Sequence, residues 1–194
     1  MAKVSLLPKG FKSQSEKISV GYRSELKLEP HGYLCGFELA KHLGVNVFTP
    51  HDYFGTTVDL KDLIGSVGKD SGWSALTMKN KNNKTIIIHN PLQATVRQQS
   101  NMMHELAHII CKHEHPNKYS EINLPEFMRT YDKQQEEEAN QLGSTLQITR
   151  DGLLWALKQK MTIEEISEHF NASAAMVSLR INTTGVRKQL SYLS

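Results

Sequence analysis

The chain has 194 residues, of which 39% are hydrophobic and 22% charged, a balance typical of a globular protein that buries a core. The net charge is only +3 and the basic residues are dispersed, so composition gives no strong nucleic-acid footprint. The sequence has neither the apolar segment of a signal peptide nor an apolar run of membrane-spanning length, which predicts a cytoplasmic protein without a membrane partner. Cys35 and Cys111 stand far apart and predict free thiols.

The first half of the chain alternates helical and strand patterns. Two helices are predicted between residues 13 and 43, and a short strand at 45–48 and a helical stretch at 59–65 follow. Two more strands, 73–78 and 85–90, flank the polar connection KNKNNK and predict an antiparallel hairpin.

The second half is predicted to be helical. Apolar spacing predicts one helix through 95–113, which Pro91 can open, and another over 133–148. The tail reads as short helices joined by tight turns. We therefore predict a first domain at 1–150 and a helical, helix-turn-helix-like subdomain at 151–194.

The sequence HELAH at 104–108 carries the main chemical signal. On a helix, His104 and His108 project from one face and can bind the same cation. Glu105 lies about 100° around the helix, where its carboxylate can accept a proton from a water on that cation. This HExxH pattern pairs a Lewis acid with a general base and predicts a catalytic Zn²⁺ site. The alternative is a pair of surface histidines on an ordinary helix.

A catalytic zinc site needs a third protein ligand. His113 and His115 are expected at or beyond the end of the helix, exposed. Glu136 shares an apolar stripe with Ala139, Gly143 and Leu146, and a carboxylate on such a stripe is costly unless a cation compensates it. Glu136 is thus the predicted ligand, with Glu138 in reserve. The alternative for EEE at 136–138 is a solvated run of charge.

With HELAH and EEEAN in this order, the chain resembles the ImmA/IrrE family of zinc metallopeptidases. The resemblance implies an α+β fold, a mostly helical zincin-like core of the gluzincin type with a small antiparallel sheet beside the HExxH helix. Related peptidases follow the ligand Glu with Ala or Ser at i+3 and Asp or Asn at i+4, which Glu136, Ala139 and Asn140 match. Asn140 would then fix the tautomer of a ligand histidine. Thr149 stands where family members commonly carry Pro, which leaves the end of that helix in question.

The resemblance also implies an edge strand that binds substrate in extended form. Either Ala75, Leu76 and Thr77 or the strand TIIIH at 85–89 would be that edge. The residue that stabilises the oxyanion is unknown, with His89, Tyr119 and Tyr131 as candidates. The implied activity is endopeptidase cleavage of a specific intracellular protein, such as a helix-turn-helix repressor.

The tail supplies the competing hypotheses. Residues 162–181 read as a helix-turn-helix, with Arg180, Arg187 and Lys188 able to touch phosphates, although EEISEH is acidic and does not favour nucleic acid. One alternative is therefore a non-enzymatic, zinc-stabilised regulator that uses this unit. Another is an antitoxin-like binding protein that retains the metal without turnover. The identity of the metal and the oligomeric state stay open.

Overall fold

The computed structural model describes residues 6–55, 73–80, 82–113 and 132–191, and the helical stretch predicted at 59–65 lies outside them. The helices are α1 (Phe11–Glu25), α2 (Gly36–His42), α3 (Pro50–Phe54), α4 (Thr95–Ile110), α5 (Lys133–Gln147), α6 (Arg150–Lys158), α7 (Ile163–His169), α8 (Ala174–Thr184) and α9 (Val186–Ser191), and the strands are β1 (Asn46–Phe48), β2 (Ala75–Lys79) and β3 (Thr85–His89). The fold is α+β and mostly helical, as predicted. None of these described helices is both long enough and apolar enough to cross a membrane.

The three described strands form a sheet in the order β1-β3-β2. β2 and β3 are the predicted antiparallel pair, with Thr77 opposite Ile87. β1 runs parallel to β3, so the expected all-antiparallel sheet is wrong and the sheet is mixed. The residue pattern of a short strand does not show whether it will pair parallel or antiparallel. Residues 49–74, between β1 and β2, are numerous enough to connect strands on opposite edges of the sheet. The central position of β3 explains its run of buried isoleucines at 86–88.

Helix α4 lies at the centre of the larger hydrophobic cluster. Its buried face carries Met102, Met103, Leu106 and Ala107. The helix begins at Thr95, as the predicted range 95–113 does, and Pro91 does not open it. Residues 91–94 form a turn instead, because the Asn90 side chain accepts the Leu92 amide proton and Gln98 donates to the carbonyls of Pro91 and Gln93.

Helix α5 packs closely along α4. Its predicted apolar stripe, Ala139, Leu142, Gly143 and Leu146, is buried. A Cβ at Gly143 would lie 3.1 Å from the Met103 carbonyl oxygen and 3.2 Å from the His104 Cα. Since these are backbone atoms of a packed helix, a larger residue could be accommodated only by moving α5 away from α4.

Buried Arg23 of α1 holds the other end of α5. Its guanidinium donates to the carbonyl oxygens of Leu146 and Gln147, at 3.0 and 3.3 Å, where the last carbonyls of α5 have no helical partner. A cation at a helix C-terminus is favourable, although burial lowers the pKa of Arg23 to about 10. Helix α1 thereby fixes the position of α5.

The C-terminal helices bury a second hydrophobic cluster that includes Ile148, Phe170 and Val177. Thr149 caps α6, because its hydroxyl accepts the Gly152 amide proton at 2.9 Å, so the family's usual proline is replaced by a capping residue. Ser173 caps α8 in the same way, because its hydroxyl accepts the Met176 amide proton at 3.1 Å. The boundary at residue 150 and the helix-turn-helix assignment remain predictions.

Arg180 is 2% exposed, so the expectation that it contacts phosphates is wrong. It donates to the Ile148 carbonyl oxygen at 2.9 Å and to the Glu16 carboxylate at 2.6 Å, and thus ties α8 to α1. Burial alone would be costly for the guanidinium, and these partners compensate it. Arg187 and Lys188 remain exposed.

We expect Arg180→Ala to lower the free energy of unfolding by roughly 3 kcal/mol or more. The change leaves the Glu16 carboxylate and the Ile148 carbonyl oxygen without the hydrogen bonds that Arg180 donates at a buried contact. The matched change Arg187→Ala, at an exposed position, should stay within about 0.5 kcal/mol. Urea unfolding of both variants measures the difference. Equal effects would contradict a structural role for Arg180.

Candidate metal centre

The last two turns of α4 place His104 and His108 side by side. Their Nε2 atoms are 3.1 Å apart. The His108 side chain is fully buried and that of His104 is partly exposed. The i, i+4 spacing therefore directs both nitrogens to one point, which is open to solvent on the His104 side.

Glu136, in the first turn of α5, reaches the same point from the facing helix. Its carboxylate oxygens lie 3.5 Å from His104 Nε2 and 3.4 Å from His108 Nε2. The three residues form a group whose ligand atoms all lie within 4.8 Å of one another. The structure thus brings together the three residues that the sequence had selected as ligands.

This triangle has the size that a tetrahedral ion requires. Ligand atoms about 2.0–2.1 Å from a tetrahedral zinc are roughly 3.3–3.4 Å from each other. The two Nε2 atoms are 3.1 Å apart, Glu136 Oε2 lies 3.5 Å from His104 Nε2 and Glu136 Oε1 lies 3.4 Å from His108 Nε2, so the three side chains approach one another at about that spacing. The donor set of two imidazoles and one carboxylate also suits zinc and leaves a fourth position for water or substrate.

Glu105 lies beside the triangle and is almost completely buried. Its Oε2 accepts a hydrogen bond from the Thr77 hydroxyl of β2 at 2.5 Å. Burial raises the pKa of Glu105, and the contacts with Thr77 and His104 only partly oppose this. A buried carboxylate is costly without a neighbouring cation, so a divalent ion at the triangle would favour its charged form.

A cleft of about 300 Å³ opens beside His104 and Glu105. Its walls come from α4, α5, the residue before β2 and one residue of α8, Met176. Apart from Met176, the lining consists mainly of small or polar uncharged side chains, namely Ser74, Ser100, Asn101, Ala139, Asn140, Gly143 and Ser144. The volume suits one side chain of a bound peptide next to the triangle.

Strand β2 forms the edge of the described sheet that lies next to Glu105. The bonds from Asn90 N–H to Ser74 O and from Asn80 N–H to Lys84 O show which residues of β2 form backbone hydrogen bonds with β3. Leu76 therefore pairs its backbone with β3, while the backbones of Ala75 and Thr77 face the opposite side. Of the two strands predicted as an edge, β3 is excluded because it is central.

Asn140 is exposed and lines the cleft, and its contact with a ligand histidine stays a prediction. His108 contacts His113, with their Nδ1 atoms 2.8 Å apart. The His113 side chain is 5% exposed, so the expectation of an exposed His113 is wrong.

A turn after α4 explains the position of His113. Lys112 adopts a left-handed backbone with φ of 56°, and the His113 amide donates to the His108 carbonyl oxygen at 3.0 Å. This Schellman turn folds His113 back over the helix. A glycine at 112 would have revealed the turn in the sequence, but a lysine gives no such signal.

Glu138, the reserve ligand, points away from the triangle. Its Oε2 lies 3.0 Å from His113 Nε2, and together with Cys111 the two residues form a second group with close ligand atoms. Burial and the nearby Glu138 carboxylate raise the pKa of Cys111 to about 11, so its thiol stays protonated at neutral pH.

The oxyanion stabiliser stays unassigned. Tyr119 and Tyr131 lie outside the described residues. The ring of His89 packs against Phe37 at 5.1 Å, and its Nδ1 is buried without a hydrogen-bond partner within the described part of the chain. Burial lowers the pKa of His89, so it is neutral at physiological pH.

We expect Glu105→Gln to stabilise the metal-free protein at neutral pH. Because the folded-state pKa of Glu105 is raised, its contribution to stability falls as pH rises through that pKa, and the glutamine variant avoids this loss. The gain in Tm should grow as the pH rises above the ordinary pKa of a glutamate, and it should amount to roughly 2–4 °C for each kcal/mol of stabilisation. Scanning calorimetry with a chelator measures it, and Glu168→Gln at an exposed position is the control. A pH-independent difference would contradict the raised pKa.

The sequence was compared with protein families and with curated proteins. A family model described as the IrrE N-terminal-like domain, Peptidase_M78, matches residues 40–182. No curated protein matches the sequence significantly. The matched region includes the HELAH helix, the Glu136 helix and α8, and it confirms the resemblance to ImmA/IrrE proteins. The chain therefore belongs to the Peptidase_M78 family of IrrE N-terminal-like domains.

Proposed function

We propose that the protein is a zinc-dependent endopeptidase in which His104, His108 and Glu136 hold the ion and Glu105 is the general base. The observation that carries this proposal is the convergence of three side chains from two helices beside a buried carboxylate, with the Nε2 atoms of His104 and His108 3.1 Å apart and each within 3.5 Å of a Glu136 carboxylate oxygen. When bound, the ion would lower the pKa of a water and polarise the scissile carbonyl. Membership of a peptidase family supports the same reaction class.

The protein's own residues would orient the reacting groups. The Thr77 hydroxyl donates to Glu105 Oε2, which would hold the carboxylate beside the ion, where it could accept a proton from the attacking water. The same carboxyl can then deliver that proton to the leaving amine. Both transfers need a carboxyl group that is held in place and shielded from bulk water, and Glu105 is buried.

The edge of β2 would bind the substrate in extended form. The backbone of Ala75 faces away from β3, and hydrogen bonds from a peptide to this edge would lay its chain across the site. The cleft beside His104 would accept one side chain of that peptide. Because an extended segment must add to the edge, the enzyme would cut exposed or locally unfolded segments of its target.

By the family resemblance, we propose that the substrate is an intracellular helix-turn-helix repressor. The resemblance is the whole basis for this choice of partner and for a cytoplasmic location. The two non-enzymatic alternatives differ from this proposal in different ways. One assigns DNA binding to the tail, and the other assigns no catalytic role to Glu105.

The regulator hypothesis places DNA on the tail, and the burial of Arg180 counts against it. Arg180 is the only Lys or Arg of α8, and its partners are Glu16 and a backbone carbonyl. Phosphate contacts supply most of the affinity of proteins for DNA, and the exposed face of α8 therefore offers little to DNA. The antitoxin-like hypothesis retains the metal and differs only in the absence of turnover.

The proposal predicts separate effects on metal content and on cleavage. We expect one zinc per chain in the wild-type protein, loss of zinc in His104→Ala and Glu136→Ala, and retained zinc in Glu105→Gln. Cleavage of a repressor encoded beside the gene should fall by at least about 100-fold in Glu105→Gln. Metal analysis and a gel-based cleavage assay measure both, with Glu168→Gln as the control.

The outcomes separate the hypotheses. A wild-type protein that binds no metal contradicts the site. A Glu105→Gln variant that cleaves as fast as wild type contradicts the role of the base. A third outcome is that zinc binds, that neither the wild-type protein nor Glu105→Gln cleaves any repressor, and that the biological output depends on Arg187 and Lys188. In that case the regulator hypothesis replaces the peptidase hypothesis.

A further inference from the structure

We propose that His113 and Glu138 position the metal-binding ring of His108 through a continuous chain of hydrogen bonds. The proposal rests on the metal site proposed above and concerns two residues to which the reaction assigns no part. Both are positioning residues, since they would act through His108.

Three contacts form the chain. His108 Nδ1 lies 2.8 Å from His113 Nδ1, and His113 Nε2 lies 3.0 Å from Glu138 Oε2. The other carboxylate oxygen of Glu138 accepts from Gln134 Nε2 at 2.8 Å. The side chains of His108 and His113 are buried, so water competes little for these bonds.

The number of protons fixes the direction of every bond. If His108 Nε2 gives its lone pair to the ion, the proton of this neutral ring is on Nδ1. That N–H donates to His113 Nδ1, which must therefore be an acceptor. The proton of His113 is then on Nε2, and this N–H donates a hydrogen bond to the Glu138 carboxylate, which can only accept. One tautomer of each ring satisfies all three contacts, and it is the tautomer that metal binding needs.

The backbone holds the middle member of the chain. The Schellman turn at Lys112 uses two backbone bonds, His113 N–H to His108 O and Lys112 N–H to Ile109 O, both at 3.0 Å. Because the turn begins within the last turn of α4, His113 is fixed relative to the helix that carries His108. An imidazole held in this way costs little further entropy to orient the ligand ring.

A second ion at Cys111, His113 and Glu138 is the alternative use of the same residues, whose ligand atoms also lie close together. An ion on His113 Nε2 would move the proton of that ring to Nδ1. Two Nδ1–H groups would then face each other across 2.8 Å without an acceptor. The contact therefore favours one ion at the triangle and a proton-bearing His113.

The test is a double-mutant cycle on zinc affinity, measured by competition with a chromophoric chelator. We expect His113→Ala and Glu138→Ala each to weaken zinc binding, by about 10–100-fold for His113→Ala. The double variant should be no weaker than His113→Ala, because Glu138 acts only through His113. Glu138→Gln should restore much of the affinity, since an amide oxygen can accept from His113 Nε2.

Controls and a direct readout complete the test. Glu137→Ala, one position along α5, removes a carboxylate that contacts the Leu6 amide instead, and should leave affinity unchanged. Cys111→Ser should also change neither affinity nor stoichiometry. Long-range ¹H–¹⁵N spectra of the zinc protein should place the protons on His108 Nδ1 and His113 Nε2.

Several results would overturn the proposal. A wild-type protein that binds no zinc removes it together with the proposed function. Suppose that the wild-type protein binds one zinc and that His113→Ala binds it with an affinity within about twofold of wild type. This result would remove only the positioning role. Additive effects of His113→Ala and Glu138→Ala in the cycle, or a proton on His113 Nδ1, would do the same. Two zinc ions per chain, one of them lost in Cys111→Ser, would replace the relay with a second metal site.

Discussion

The close approach of α4 and α5 is the constraint on which the candidate site depends. Two of its three proposed ligands lie on one helix and the third on the other, so the separation of the helices sets the size of the triangle. Gly143 permits that separation, since a side chain there would meet the backbone of Met103 and His104. Arg23 holds the far end of α5 through its last carbonyls. The site is therefore a property of helix packing and not of a local loop, which favours precise positioning of its ligands.

The sheet and the tail extend this constraint to substrate binding. Thr77 belongs to the edge strand and also contacts Glu105, so the proposed peptide-binding edge and the proposed base are linked through one side chain. On the other side, Met176 brings α8 into the wall of the cleft, and the Arg180–Glu16 pair fixes α8 against α1. The tail thus contributes to the cleft itself, and the family match, which ends at residue 182 within α8, includes Met176.

The sequence predicted the features that depend on periodicity. Spacing of three and four residues placed His104 and His108 on one face and Glu136 in line with the apolar stripe of α5, although the Glu136 side chain is itself 38% exposed, and alternation located the hairpin. Features that depend on tertiary contacts were missed. The parallel direction of β1 and the turn at 91–94 have no local signature, and the contact between His113 and His108 was not predicted because the left-handed turn at Lys112 could not be read from a lysine. Arg180 looked available to phosphates because burial of a charged residue depends on Glu16, which is distant in sequence.

The most direct measurement is a crystal structure of the zinc-loaded protein with anomalous scattering at the zinc edge. The account predicts one strong peak, roughly 2.0–2.2 Å from His104 Nε2, His108 Nε2 and a carboxylate oxygen of Glu136, with Glu105 next to it and not bound. A peak among Cys111, His113 and Glu138 instead, or no ordered ion with the three side chains turned apart, would contradict it.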